Sequence, residues 1–419
     1  MRRSISLALV LVLVGCGGSS SVIDGGFSYP ANVAARYLPG SNYNFVEPRV
    51  AAPADPVVYS FATWGCNRIS FGDVSKVDFP STANQPWLAQ LMEDIQEAPT
   101  VDPSLPGVPP HLFFTGDLVL NEENDNAVTL NKQLSAWTRF FEQQPLWRSQ
   151  QNLAFLVLGN HEALYSTQIQ PNVWREYLPD TSVNLQTWIG DLRNAGLFVP
   201  PDGSLAGVHK SAASSMDEVT SKLEAFGSYS IDVGDLHFVV LNTDTLNGHL
   251  DGEKPGIGWV QLNWLEQDLT AAEKHADLIF VFGHKPAVAF PGSGDEAQPG
   301  DLHINDAQVQ PFIDTLNRHP KVAAYICAHA HAWGVDRLVS SGIAKQTTQL
   351  IAGNGGSILQ ESWTPAGGTY FGPTIVKVYR SGRVVADSYG RSAPNPIYTP
   401  PTGALQMRQE AQLYPLVGG

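Results

Sequence analysis

Five short apolar runs, each closed by a small polar cluster, constrain this chain more than any other feature. The runs are Val57 to Ala62, His111 to Thr115, Leu153 to Leu158, Leu278 to Phe282 and Val322 to Cys327. Continuous apolar runs of this length suit β-strands covered on both faces. Amphipathic helical patterns lie between several of them, at Trp87 to Glu97, Leu130 to Glu142 and, most clearly, Trp259 to Lys274. Strands alternating with helices predict a layered α/β domain. The chain has 419 residues, 43% of them hydrophobic, which suffices for a sizeable core in one large domain or two smaller ones.

The polar clusters carry the chemistry. In order they read Gly65-Cys66-Asn67-Arg68, Gly116-Asp117, Gly159-Asn160-His161-Glu162, Gly283-His284-Lys285-Pro286 and His329-Ala330-His331. Ligands of α/β sheets bind outside the carboxyl ends of strands. If the five strands share a sheet, one pocket receives a carboxylate, an amide oxygen, a thiolate and four imidazoles. That mixture suits two transition metal ions (Fe, Zn or Mn) better than calcium or magnesium, which prefer oxygen shells. Two such ions about 3.5–4 Å apart can hold a phosphate, activate a bridging hydroxide and stabilise the leaving oxygen. Asp117 is the natural bridge, since one carboxylate can reach both ions. Each motif alone has an ordinary reading. Gly-Asp is usually a turn, His161 a solvated loop residue, His284 a hydrogen-bonded turn residue, and the spacing of His329 and His331 occurs by chance. Their recurrence, each after a strand-like run, is what points to a single site.

Gly-Asp, Gly-Asn-His-Glu, Gly-His-Lys-Pro and His-x-His, in this order, resemble the calcineurin-like metallophosphoesterases. The resemblance runs from about Val57 to Tyr389. It takes in a hairpin pattern over residues 229–243, with Gly234-Asp235 at its turn, and the segment Gly258 to Leu265. Both are similar to segments of extracytoplasmic members and of purple acid phosphatases. The resemblance implies a four-layer α/β/β/α sandwich with two mixed sheets. It also implies that Asp117 bridges two metals, that Asn160, His284 and His329 bind one ion, and that His331 binds the other. His161 corresponds to a histidine that does not bind metal and acts on the phosphoryl group or the leaving oxygen.

The first motif departs from the family. An Asp-x-His is usual there, whereas this chain has Ala62-Thr63-Trp64-Gly65-Cys66-Asn67-Arg68. Either Thr63 takes the aspartate's place and a ligand is lost, or Cys66 supplies a thiolate. The second alignment is similar to the alkaline phosphatase D-like branch, whose first motif holds a metal-binding cysteine. Cys66 read without that resemblance is a buried apolar residue or half of a disulfide with Cys327. Arg68 either reaches the substrate phosphate with its planar fork or pairs with a carboxylate.

The expected function is therefore hydrolysis of phosphate mono- or diesters by a metal-bridging hydroxide, with His161 and Arg68 assisting. The rival reading is a degenerate envelope protein on the same fold that binds without catalysis. A serine esterase lacks its Gly-x-Ser-x-Gly elbow. The net charge of −15 argues against nucleic acid as a partner. It does not argue against a small phosphate ester, because bound cations reverse the local field.

The N-terminus reads as an address. Arg2 and Arg3 precede the apolar run Ser4 to Val14, which is too short for an ordinary membrane span. Leu13-Val14-Gly15-Cys16 and the following Gly/Ser stretch resemble a bacterial lipoprotein signal. That implies acylation of Cys16, a membrane anchor and a place in the cell envelope, at the outer membrane or periplasmic face. The expected organisation is signal peptide 1–15, a Gly/Ser/Pro-rich tether 16–55, the catalytic domain 56–392 and a C-terminal extension 393–419. Residues 165–227 read as an insertion and 291–300 as an irregular loop, places where substrate contacts are often found.

Overall fold

The computed structural model describes residues 55–120, 127–146, 153–162, 208–210, 228–243, 245–246, 257–288, 304, 306–359, 368–391, 398–399 and 403–415. Cys16 and residues 1–54 lie outside them. So do most of the 165–227 insertion and the 291–300 loop.

Two mixed sheets organise the chain. The first contains β1 (Val57–Trp64), β2 (His111–Phe114), β3 (Leu153–Leu156), β13 (Thr374–Tyr379), β14 (Val384–Arg391) and β15 (Leu405–Tyr414). Its order is β15-β14-β13-β1-β2-β3, with β1, β2 and β3 parallel and the remaining pairs antiparallel. The second contains β4 (Val208–Lys210), β5 (Tyr229–Val233), β6 (Leu236–Val240), β9 (Leu278–Phe282), β10 (Val322–Cys327), β11 (Trp333–Leu338) and β12 (Thr347–Ala352). Its order is β11-β12-β10-β9-β6-β5-β4, and the four central strands run parallel. A separate two-stranded ribbon pairs β7 (Thr245–Leu246) with β8 (Ile257–Trp259).

The sheets pack face to face through aromatic side chains. Phe113 of β2 stacks on Phe282 of β9 with centroids 4.2 Å apart, and Phe61 of β1 meets Phe280 edge-on at 5.1 Å. Each fully buried ring stabilises the fold by about 1.5–3 kcal/mol. Because side chains alternate along a strand, the next residues face outward. Trp64 and Phe114 turn away from the second sheet, and Phe114 packs on Trp137 and Phe141 of α2 (Ala127–Glu142). Helix α1 (Gln85–Val101) buries Leu88, Leu91, Met92 and Ile95 in the same core. On the second sheet, Val239, Ile279 and Val281 are covered by α3 (Leu262–Ala272) and α4 (Asp306–Arg318), through Leu265, Leu269, Phe312 and Leu316. The result is a helix/sheet/sheet/helix sandwich, as the resemblance implies.

Four points differ from the sequence expectations. The five apolar runs form five strands but do not share a sheet: three lie in the first and two, β9 and β10, in the second. Their polar clusters meet because the carboxyl ends of both sheets open on one edge. The Trp259 to Lys274 pattern divides, since Ile257–Trp259 pairs as β8 and the helix starts at Leu262. Residues 405–414, placed in a C-terminal extension, form the outer strand β15 beside β14. Only Leu405 and Leu413 of β15 are buried, so its largely polar sequence gives no apolar alternation to read. Strand β11 is also missing from the sequence reading. Among the described residues, no helix is long and apolar enough to cross a membrane.

Candidate metal centre

The backbone at the carboxyl edge is shaped to bring side chains together. After β1 the chain turns at Gly65, where a Cβ would lie 2.5 Å from Thr115 Oγ1. The first two clusters then interlock: Cys66 N–H donates to the Gly116 carbonyl at 2.9 Å and Asn67 N–H to that of Asp117 at 2.9 Å. Gly116 has φ 88°, and a Cβ there would sit 2.5 Å from His284 Nδ1. Cys66, Asp117 and His329 adopt left-handed φ values of 57°, 57° and 63° without being glycine. Each such residue costs roughly 1–2 kcal/mol, and strain of this kind gathers where side chains must be aimed.

The side chains form two groups that share one carboxylate. In the first, His284 Nε2 lies 3.2 Å from Asp117 Oδ1 and 3.0 Å from Asn160 Oδ1. His329 Nδ1 is 3.1 Å from Asn160 Oδ1 and 3.1 Å from His284 Nε2. His284 Nδ1–H donates to the Thr115 carbonyl at 2.6 Å, so its Nε2 presents a lone pair. Four lone-pair atoms thus converge with at most one proton, on His329, to hold them together. A cation resolves that repulsion, and ligand bonds of about 2.0–2.2 Å place donor atoms at such separations. In the second group, ligand atoms of Cys66, Asp117 and His331 lie within 4.8 Å of one another. His331 Nδ1–H donates to the Ile358 carbonyl at 2.8 Å, which turns Nε2 inward. A backbone acceptor on the far ring nitrogen is the usual support of a metal-binding histidine. The residues present therefore fit two ions with Asp117 between them.

The electrostatics agree with the donor set. Burial pushes the Asp117 carboxyl up, but His284, His161 and Arg68 together hold it well below the usual carboxylate range. Burial lowers His331 to about 3, with Arg68 adding to the effect. It lowers His329 well below the usual range too, with help from His284 and Lys285. Both rings are therefore neutral, the form that binds metal. Burial, then Asp117, raises the Cys66 thiol well above its usual value. A thiolate at this position needs a cation to hold it.

Arg68 and His161 border the same carboxylate. Arg68 Nε–H donates to Asp117 Oδ2 at 3.4 Å, and its side chain is 18% exposed. His161 Nδ1 bonds the Leu120 carbonyl, which leaves Nε2 on the Asp117 side, 3.9 Å from Oδ2. Burial, with Arg68 second, lowers this imidazole to about 4. The structure thus brings together Cys66, Arg68, Asp117, Asn160, His161, His284, His329 and His331, and Cys16 lies outside the described residues. Of the two candidates in the first motif, Thr63 is buried within β1, opposite Phe113 of β2, whereas Cys66 lies beside Asp117 and His331. Cys66 and Cys327 are both free, so the disulfide alternative does not hold.

Two supports went unassigned in the sequence. Glu162 is fully buried and accepts from the N–H groups of Asp117, Gly159, Leu118 and Val119 at 2.9, 2.9, 2.8 and 3.2 Å. It fixes the turn that presents Asp117, although burial, then Asp117 itself, raises its carboxyl to about 7. The loop after β12 is the second support. Its Gly355 and Gly356 carbonyls hold Asn67 and Asn84 at 2.7 Å each, and Ser357 N–H donates to the Cys66 carbonyl at 2.7 Å. Gly353-Asn354-Gly355-Gly356 at the end of a strand was the available signal.

A family profile described as Calcineurin-like phosphoesterase matches residues 83–333. That span holds Asp117, Asn160, His161, His284, His329 and His331. A relative from Xenopus tropicalis, a manganese-dependent ADP-ribose/CDP-alcohol diphosphatase, is 30% identical over 95 residues. The match spans 21% of this chain and a quarter (25%) of that relative. A dimetal phosphatase from Danio rerio superposes with TM-score 0.42 and 11% identity, covering 84% of this chain and 100% of the other. A putative 5'-nucleotidase from Staphylococcus aureus superposes with TM-score 0.39 and 14% identity, covering 79% and 53%.

Proposed function

The chain belongs to the calcineurin-like phosphoesterase family, and on that footing we propose that it hydrolyses phosphate mono- or diesters at a centre of two transition metal ions. The carrying observation is the convergence of lone-pair donors from both sheets on the Asp117 carboxylate. Asn160, His284 and His329 would hold one ion, Cys66 and His331 the other, and Asp117 both. Bound there, the ions would polarise the phosphoryl oxygens and make water acidic enough to attack near neutral pH. The diphosphatase relative supports manganese among the candidate ions and a diphosphate among the substrates worth assaying.

The chain's own residues do the rest. Thr115 and Ile358 carbonyls orient the rings of His284 and His331, and Glu162 holds the Asp117 turn. Arg68 lies beside the shared carboxylate and is partly exposed, so its fork can reach the equatorial oxygens of a phosphoryl group without leaving the site. His161 keeps Nδ1–H on a backbone carbonyl, which leaves the Nε2 lone pair facing the site; there it would take up a proton as the anionic ester enters and pass it to the departing oxygen.

His161→Ala is expected to lower turnover by roughly 10²–10⁴-fold, the usual weight of a general acid, while elemental analysis finds the ion content of wild type. Unchanged turnover would remove His161 from the reaction. We also propose that the mature protein sits in the cell envelope, tethered through acylated Cys16, on the strength of the Leu13-Val14-Gly15-Cys16 segment. Expressed in a bacterial host, wild type should partition with membranes and Cys16→Ala should not. Equal partitioning would rule out the lipid tether.

A further inference from the structure

A second cluster of side chains of metal-ligating type, Asp232, His237 and His275, lies at the opposite end of the second sheet. Asp232 on β5 and His237 on β6 are cross-strand neighbours in the hairpin. His237 Nδ1 lies 2.6 Å from Asp232 Oδ1, and His275, from the turn between α3 and β9, places Nε2 3.0 Å from the same oxygen. The far side of the His237 ring, Nε2, is 3.0 Å from Asp268 Oδ2 on α3. Asp268 is itself held by the Ser230 hydroxyl, which donates to Oδ1 at 2.8 Å. Ligand atoms of Asp232, His237 and His275 all lie within 4.8 Å of one another.

From this geometry we propose that Asp232, His237 and His275 form a separate zinc-type site that fastens the β5–β6 hairpin to the α3–β9 corner. Two imidazole nitrogens and a carboxylate are a donor set that zinc takes readily, with water completing a tetrahedron. The Asp268–His237 contact supplies the carboxylate–histidine–metal arrangement that orients a ligand ring and raises its basicity. His275 is 47% exposed and gives an ion its way in, while His237 is buried. Loading displaces the proton between His237 and Asp232 to solvent. The site is distinct from the catalytic centre. His237 pairs with Ile279 across the sheet, and His284 follows five residues beyond Ile279 on the chain, about 16 Å away at the rise of a strand.

The test uses the full chain, stripped with a chelator, exposed to excess zinc chloride and freed of unbound ion by gel filtration. His275→Ala should hold one zinc per chain fewer than wild type, keep wild-type hydrolysis of phosphate esters, and show a smaller zinc-induced rise in Tm. Half exposed at a turn, His275 can be truncated without threatening the core. Asp232→Asn should show the same deficit of one zinc. Equal zinc in wild type and His275→Ala would overturn the proposal, leaving a buried hydrogen-bonded cluster. Failure of the catalytic reading would lower the zinc count of both proteins alike, and the difference of one would remain.

Discussion

Asp117→Asn should all but abolish hydrolysis, by about 10³-fold or more, the loss expected when several kcal/mol of charge stabilisation is withdrawn from the transition state. The reason lies in position. Asp117 is the one residue common to both ligand groups, so a neutral amide weakens both ions at once and cannot bridge them. The substitution preserves shape, and the turn that carries the side chain stays fixed through Glu162 and the backbone N–H of Asp117. The loss should therefore appear in ion content and activity rather than in solubility. It should also free Arg68, whose Nε–H donates to the Asp117 carboxylate. Activity within a few-fold of wild type would mean that the carboxylate is an ordinary buried ion-pair partner.

Cys66→Ser should remove one half of the centre and leave the other. A serine hydroxyl is a far weaker acid than a thiol, so the variant loses the charge that a soft or borderline ion draws from sulfur. The His284–Asn160–His329 group takes no ligand atom from Cys66, whose thiol meets the His329 backbone instead, and should keep its ion. We expect activity to fall by about 10²-fold or more, since one of two positions of charge stabilisation is lost. Cys66→Asp should recover part of it, because a carboxylate restores a charged donor. A serine variant as active as wild type would return Cys66 to the role of buried packing residue.

Much of this was legible in the sequence because polar motifs and strand ends coincide. Asp117, Asn160, His161, His284, His329 and His331 each follow an apolar run, and each sits where a strand delivers it. The helices α1 and α2 showed themselves through apolar periodicity. What escaped was decided by tertiary context. The split of five strands between two sheets leaves no trace in runs that are buried on both faces either way. β15 is an outer strand with a polar face, and its pairing with β14 is set by the partner rather than by its own pattern. Glu162 was in plain sight beside Asn160 and His161, but its task of collecting backbone N–H groups from the Asp117 turn depends on burial, which no motif announces. Where Thr63 and Cys66 each lie could be read only in space. Thr63 is held inside β1, whereas Cys66 turns with a left-handed backbone towards Asp117 and His331.

The measurement that bears most directly on the two-ion centre is elemental analysis of purified His275→Ala, which lacks the peripheral cluster, beside the double variant Cys66→Ser/His275→Ala. The account predicts two transition metal ions per chain in the first protein and one in the second. Equal ion content in the two, whether two ions or none, would contradict it.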